Sequence, residues 1–158
     1  MRNNNKFRRR EKPEFEQKLL DLARVTRVVK GGRRFRFRAT LVIGNRKGKV
    51  GVGVAKGSDV ADAIKKAFDK AKKNIIEIDV SSGTIPCDIQ QKLGGAKVLL
   101  KPASKGRGII AGGAVRAVMD LAGIKDIVSK SLGSSNKLNV ARTTIKALKQ
   151  LNNLRIRN

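Results

Sequence analysis

Between Leu22 and Ser58 the chain carries eleven lysines and arginines and no acidic residue, and the same stretch alternates apolar and cationic side chains with a period of two. Period two is the repeat of a β-strand, whose successive side chains point to opposite faces. In "RRFRFRATLVIG" Phe35, Phe37, Ala39, Leu41 and Ile43 alternate with Arg34, Arg36, Arg38, Thr40 and Val42. The first set is expected on a core face and the arginines together on the other. Like charges crowded on one sheet face are unfavourable without a counter-ion. The segment therefore constrains fold and partner together: it belongs in a sheet, and something anionic must meet it.

The flanking residues extend the pattern. In "KVGVGVAKG" Val50, Val52 and Val54 are expected to face in, with Gly51 and Gly53 leaving the opposite face bare, and "GNRKGK" (44–49) reads as the turn between the strands. A preceding strand over about Leu19–Val29 pairs back through Gly31-Gly32, although "FEQKLLDLA" reads equally as a short helix. Ser58 is the expected helix N-cap, with Asp59 and Asp62 in the first turn. Val60, Ile64, Ala67, Phe68, Ala71 and Ile75 recur at helical spacing, and Lys65, Lys66, Lys70, Lys72 and Lys73 fall mainly outside that stripe. Residues 14–75 thus predict a three-stranded antiparallel sheet carrying one helix. Residues 1–13, with six lysines and arginines and one glutamate, read as a basic arm that is disordered until it meets a polyanion.

A second unit is expected over 76–151, followed by a short tail (152–158). Ile76, Ile78 and Val80 open it, "AKVLLKP" (96–102) and "DIVSKSLG" (126–133) read as strands, and "SKGRGIIAGGA" (104–114) is a glycine-rich loop entering a helix. That helix has Val115, Val118, Met119 and Ala122 as its inner stripe and ends at Gly123, while a last helix is expected from an N-cap at Asn139 to about Leu151. The fold class is α+β, with two small domains. Each half is small enough that its core is marginal alone, so the two are expected to support each other.

Composition narrows the partner. The 158 residues hold 37 Lys+Arg against 12 Asp+Glu, a formal charge of +25. Solubility needs only about 2–8 charges on a small domain, and a larger excess repels itself. Nucleic acid is the first candidate counter-ion and an anionic membrane surface the second; no run of about 18 apolar residues offers a spanning helix. The basic first residues, Arg2, Lys6, Arg8, Arg9 and Arg10, have no apolar run behind them, so a secretory signal is not expected. With no histidine and a single cysteine, Cys87, a Cys/His zinc site and an internal disulfide are excluded, and a reducing compartment is consistent. Five phenylalanines and no tyrosine or tryptophan favour reading a folded backbone by charge and shape over stacking splayed bases.

Three constellations follow. The first is the arginine-ringed hairpin, a projecting finger whose guanidinium forks suit phosphate oxygens and whose glycines allow close approach. Its candidate RNA-binding residues, with the rest of the acid-free stretch, are Arg24, Arg27, Lys30, Gly31, Gly32, Arg33, Arg34, Arg36, Arg38, Arg46, Lys47, Lys49 and Lys56. The second is "KKAFDKAKKN" (65–74), a lysine-studded helix after a three-stranded sheet, which resembles the double-stranded-RNA-binding module but reads equally as a solvated face. The third is "GRGIIAGG" (106–113), which can hold a phosphate on backbone N–H groups and faintly resembles the phosphate loop of small-molecule kinases. With no histidine and no paired acids for a metal, a tight loop serving packing or a protein contact is preferred. Cys87 has no partner thiol or base nearby in sequence and is expected to be inert.

"RVVKGGRRFRFRATLVIGNRKGKVGVGVAK", "KPASKGRGIIAGGAVRAVMDLAG" and "SKSLGSSNKLNVARTTIKAL", in that order over about Arg24–Leu148, are similar to the small-subunit ribosomal protein five family, bacterial type. The resemblance implies a double-stranded-RNA-binding-like N-terminal domain and a C-terminal domain shared with those small-molecule kinases, without catalysis or a cofactor. It implies a structural constituent of the cytoplasmic ribosome that binds small-subunit rRNA near the channel by which mRNA enters, and that supports assembly and translational accuracy. The family's hairpin loop, the site of spectinomycin resistance, matches Lys30, Gly31, Gly32 and Arg33. Its glycine-rich segment and following helix, here Gly106, Gly108, Gly112, Gly113 and Arg116, face ribosomal protein four, and Gly108 and Arg116 match positions where disturbance makes decoding error-prone. Contacts with ribosomal proteins three and eight are further expectations. The chain departs from the family pattern in a shorter C-terminal tail, on which the contact with ribosomal protein eight depends, and in Cys87, where relatives often carry histidine after "TIP". The alternatives are a phosphate-binding kinase relative and a free RNA chaperone.

Overall fold

The period-two stretch folds into two long strands, β1 (Glu16–Val29) and β2 (Gly32–Gly44), joined antiparallel. The computed structural model describes residues 14–156, so the basic arm expected over 1–13 lies outside the described residues. "FEQKLLDLA" is strand, with a register irregularity between Leu19 and Asp21. β3 (Lys49–Gly57) pairs with β2, and β4 (Ile75–Glu77) adds a short fourth strand along Lys49–Gly51. The three-stranded sheet expected thus gains an edge from residues placed at the end of the helix and the start of the next unit.

Helix α1 (Val60–Lys73) lies on the glycine face of β3. A Cβ on Gly53 would sit 2.0 Å from the Ala67 carbonyl oxygen, and one on Gly51 would sit 2.6 Å from that of Ala71. The buried stripe of α1 is Ala63, Ala67 and Ala71, so small residues on both sides bring the backbones close. Val50 and Val52 therefore face away from the helix, into the second unit. Because both faces are covered, Ala39 to Gly44 are all buried and the alternation of β2 disappears there. The expected inner set holds for Ala39, Leu41 and Ile43, which pack with the α1 alanines. The N-cap is Asp59 rather than Ser58, and its side chain makes no capping bond.

The second sheet runs in the order β5 (Ile89–Leu93), β6 (Ala96–Pro102), β8 (Ile127–Ser131), β7 (Ile109–Ile110), with only the β7–β8 pair parallel. Helix α2 (Gly113–Ala122) ends at Gly123, whose φ of 92° is left-handed, as a C-cap glycine requires. Helix α3 spans Lys137–Ile156. Its start is set by Asn136, whose Oδ1 accepts the Leu138 N–H at 3.1 Å, so the expected cap Asn139 lies inside the first turn. The architecture is α+β with two sheets and three helices.

The two units share the larger core, in which Val42, Val50 and Val52 meet Leu100, Met119, Ile127 and Leu148. The 44–49 turn also docks on the end of α2. Arg46 and Gly48 donate their N–H groups to the Leu121 and Ala122 carbonyls, both at 2.9 Å, satisfying acceptors that a helix end leaves open.

Candidate nucleic-acid interface

β3 stops opposite Phe37, and beyond that row β1 and β2 pair only with each other, from Val25↔Arg36 to Val29↔Gly32. These five pairs form a two-stranded finger about 17 Å long at ~3.3 Å per residue. The tip is the two-residue turn Lys30-Gly31, one position earlier than expected, and Gly32 opens β2 with φ 138°. No atom lies within 4 Å of a Cβ built on Gly31 or Gly32, so the tip leaves room for another surface.

Residues directly opposed across a ladder share a face. On one face Arg27 opposes Arg34, Val25 opposes Arg36, and Arg38 lies between Ala23 and Lys56. The arginines at 34, 36 and 38 thus lie together as expected. The opposite face carries Arg24 beside Phe37, Thr26 beside Phe35, and Val28 beside Arg33. Phe35, expected on the core face, is instead 45% exposed, because the finger projects past α1. The Arg24 guanidinium sits 3.6 Å from the centre of its ring, a cation–π contact that holds the arginine in place.

Neutralisation separates the candidates. Arg38 shares Asp21 with Lys137 of α3, at 3.8 and 3.6 Å. Arg46, at φ 56°, bonds Glu16 at 2.9 Å and approaches Asp120 at 3.9 Å, so it ties β1 to α2 across the turn. Among the described residues Arg24, Arg27, Lys30, Arg33, Arg34, Arg36, Lys47, Lys49 and Lys56 have no carboxylate within 4.0 Å. Lys47 and Lys49 stand in the 44–49 turn, where Asn45 Oδ1 accepts both their N–H groups, at the end of the sheet remote from the finger tip. The structure therefore gathers Arg24 to Arg38 and Lys56 on the finger and its root, and sets Arg46, Lys47 and Lys49 apart.

Helix α1 divides its lysines. Lys66 bonds Asp62 at 2.7 Å, which is the leading cause holding the Asp62 carboxyl below its ordinary value, and Lys72 lies over Phe68. Lys70 and Lys73 line a groove that Arg142 and Lys149 of α3 close from the other side. Neither α3 cation is among the sequence-derived candidates. Their seven-residue spacing is a visible signal, but nothing in the chain order pairs it with α1.

The glycine-rich loop is an open surface. Gly106 and Gly108 are left-handed at φ 87° and 74°, and a Cβ on either, or on Gly112 or Gly113, would meet nothing within 4 Å. The loop is anchored from within: Gly108 donates to Asp126 Oδ1 at 2.8 Å, and Arg116 folds back to the Ile109 carbonyl at 3.3 Å. Among the described residues no group of three or more acids or cysteines is arranged to hold a metal. Cys87 is an exposed free thiol. No helix of the described residues is long and apolar enough to cross a membrane.

Fold and surface together define a class: a small, strongly cationic α+β protein with two sheets, a projecting arginine-rich ribbon and a bare glycine loop. Residues 15–79 match the model for the ribosomal protein S5 N-terminal domain, and residues 91–156 match that for the ribosomal protein S5 C-terminal domain. Small ribosomal subunit protein uS5 from Campylobacter jejuni strains 81-176, 81116 and RM1221 is in each case 57% identical over 138 residues, covering 87% of this chain and 94% of the relative. The chain belongs to the ribosomal protein S5 family, whose members are structural and not enzymes.

Proposed function

We propose that this chain is a structural constituent of the small ribosomal subunit and that it binds small-subunit rRNA through the β1–β2 finger. The observation that carries the reading is the Arg27–Arg34 pair, two cations directly opposed on an exposed ribbon with no carboxylate within 4.0 Å among the described residues. Phosphates supply the missing charge, and the open space at Gly31 and Gly32 lets the tip enter a groove or junction of folded RNA. Arg24, Lys30, Arg33, Arg36 and Lys56 complete the contact, with Arg38 partly held by Asp21. Arg46 acts chiefly as a joint between the units, which leaves Lys47 and Lys49 as a separate, weaker contact.

The same reading places the protein near the channel by which mRNA enters, where it supports assembly and decoding accuracy. The bare loop of Gly106, Gly108, Gly112 and Gly113, with Arg116 beside it, is the surface offered to ribosomal protein four. Its backbone is uncovered and its conformation is fixed by Asp126, as suits a protein contact. Ribosomal proteins three and eight are further neighbours in this reading.

The test is a filter-binding titration of the full chain against transcribed small-subunit rRNA over a range of salt. Six to ten phosphate contacts lose about 10³–10⁵ in affinity between ~50 and ~200 mM salt, by analogy with DNA. A salt response near zero refutes the reading.

A further inference from the structure

The groove between α1 and α3 carries cations on both walls and no acid. Lys70 and Lys73 stand on one side, Arg142 and Lys149 on the other, around a floor that includes Val54 and Ile145, with a volume of about 500 Å³. All four cations are exposed, and none has a carboxylate within 4.0 Å among the described residues. The neighbouring lysines are engaged elsewhere: Lys66 with Asp62, Lys72 with the Phe68 ring, and Lys146 with the Lys92 carbonyl. Arg142 and Lys149 are two helical turns apart, about 10 Å at 1.5 Å per residue, so they offer a line of charge rather than a point.

We infer that this groove is a second binding site for an RNA phosphate backbone, separate from the finger and built from both domains. The inference rests on the rRNA-binding reading above. Charge complementarity selects the occupant: four unneutralised cations facing one another repel until a polyanion lies between them. The half-buried apolar floor offers few hydrogen-bonding groups to read bases, so the contact is to the backbone and carries no sequence preference. Continuity supports the same occupant. Arg38 at the finger root pairs with Lys56, and Lys56, Val54 and Val52 follow one another on a single face of β3, leading from the finger into the groove. Lys70 and Lys73 come from the first domain and Arg142 and Lys149 from the second, so a strand seated there also clamps the two units together.

The experiment compares four full-length chains for binding to small subunits depleted of this protein, over a range of salt. One chain carries Lys70→Gln, Lys73→Gln, Arg142→Gln and Lys149→Gln, one carries Arg27→Gln and Arg34→Gln, and one is unchanged. Loss of four phosphate contacts lowers the slope of log K against log salt by about three and weakens binding about 10³-fold near ~0.1 M salt. A fourth chain with Lys70→Arg, Lys73→Arg, Arg142→Lys and Lys149→Arg keeps both, and melting curves confirm that every variant is folded. If the groove variant binds within about threefold of the unchanged chain while the finger variant is weakened, the groove proposal falls and the finger reading stands. If neither is weakened, both fall. Zero-length ultraviolet cross-links in the assembled subunit decide the class of partner: adducts of rRNA on peptides containing residues 142–149 support the proposal, and cross-links there to protein alone overturn it.

Discussion

Replacing Arg27 and Arg34 together by glutamine is predicted to move stability and binding in opposite directions. The two side chains are direct cross-strand neighbours with no acid within 4.0 Å among the described residues, so each destabilises the other in the free protein. Relief of a like-charge cross-strand pair is worth about 0.2–1 kcal/mol, and glutamine preserves the reach of the side chain along the strand. For a chain of this size that raises Tm by up to about 4 °C, with the larger effect at low salt, where screening is weakest. Loss of two phosphate contacts reduces the salt slope of rRNA binding by about 1.5 and costs about 30-fold in affinity near ~0.1 M salt, counting the electrostatic part from ~1 M. Melting curves of the free protein at about 20 mM salt and filter binding to transcribed small-subunit rRNA read the two effects. A merely structural pair would lower both. A fall in Tm, or binding unchanged within about twofold, refutes the argument that the missing counter-charge is on RNA.

Other substitutions probe single features. Gly53→Ala places a methyl 2.0 Å from the Ala67 carbonyl oxygen, so α1 must lift from the sheet; a loss of about 1–3 kcal/mol or more is expected as a lower urea midpoint, whereas Gly31→Ala, with open space around it, leaves the midpoint nearly unchanged. A Cβ on Gly32 meets no atom within 4 Å, so Gly32→Asp is expected to cost the free protein about 1–3 kcal/mol of backbone strain at φ 138°, while the added carboxylate weakens rRNA docking; a loss of the native circular dichroism spectrum would make the tip a folding element instead. The Asp62 carboxyl is held below its ordinary 3.8 first by the Lys66 hydrogen bond and further by the Ser58 backbone N–H. Its contribution is therefore present above pH 3.8 and is lost as pH falls through the lower folded value, and Lys66→Ala should move the Asp62 NMR titration upward.

Much of this architecture could be read from residue spacing. Alternation over Arg34–Ile43 defines strand β2, the Gly123 stop ends α2, and the finger follows from two glycines between basic strands. The errors share a cause. Val50 and Val52 alternate with Gly51 and Gly53, so two faces are evident, but a row of glycines reads as a bare face when it is the face that receives α1. Asn139 resembles a cap as much as Asn136 does, and only the bond from Leu138 distinguishes them. Phe35 shares the period of the core-facing set, and its exposure follows from how far the hairpin outruns the helix.

The amino-acid order alone determined that this chain makes cationic strands with a large excess of positive charge, because charge and period are local properties that survive any folding. Tertiary structure decided which cations remain available. Arg46 finds Glu16 thirty residues away and Asp120 on helix α2, Arg38 finds Asp21, and Lys70 and Lys73 meet Arg142 and Lys149 across a groove. Coulomb energy depends on distances in space, and those exist only once the two sheets have closed on their shared core.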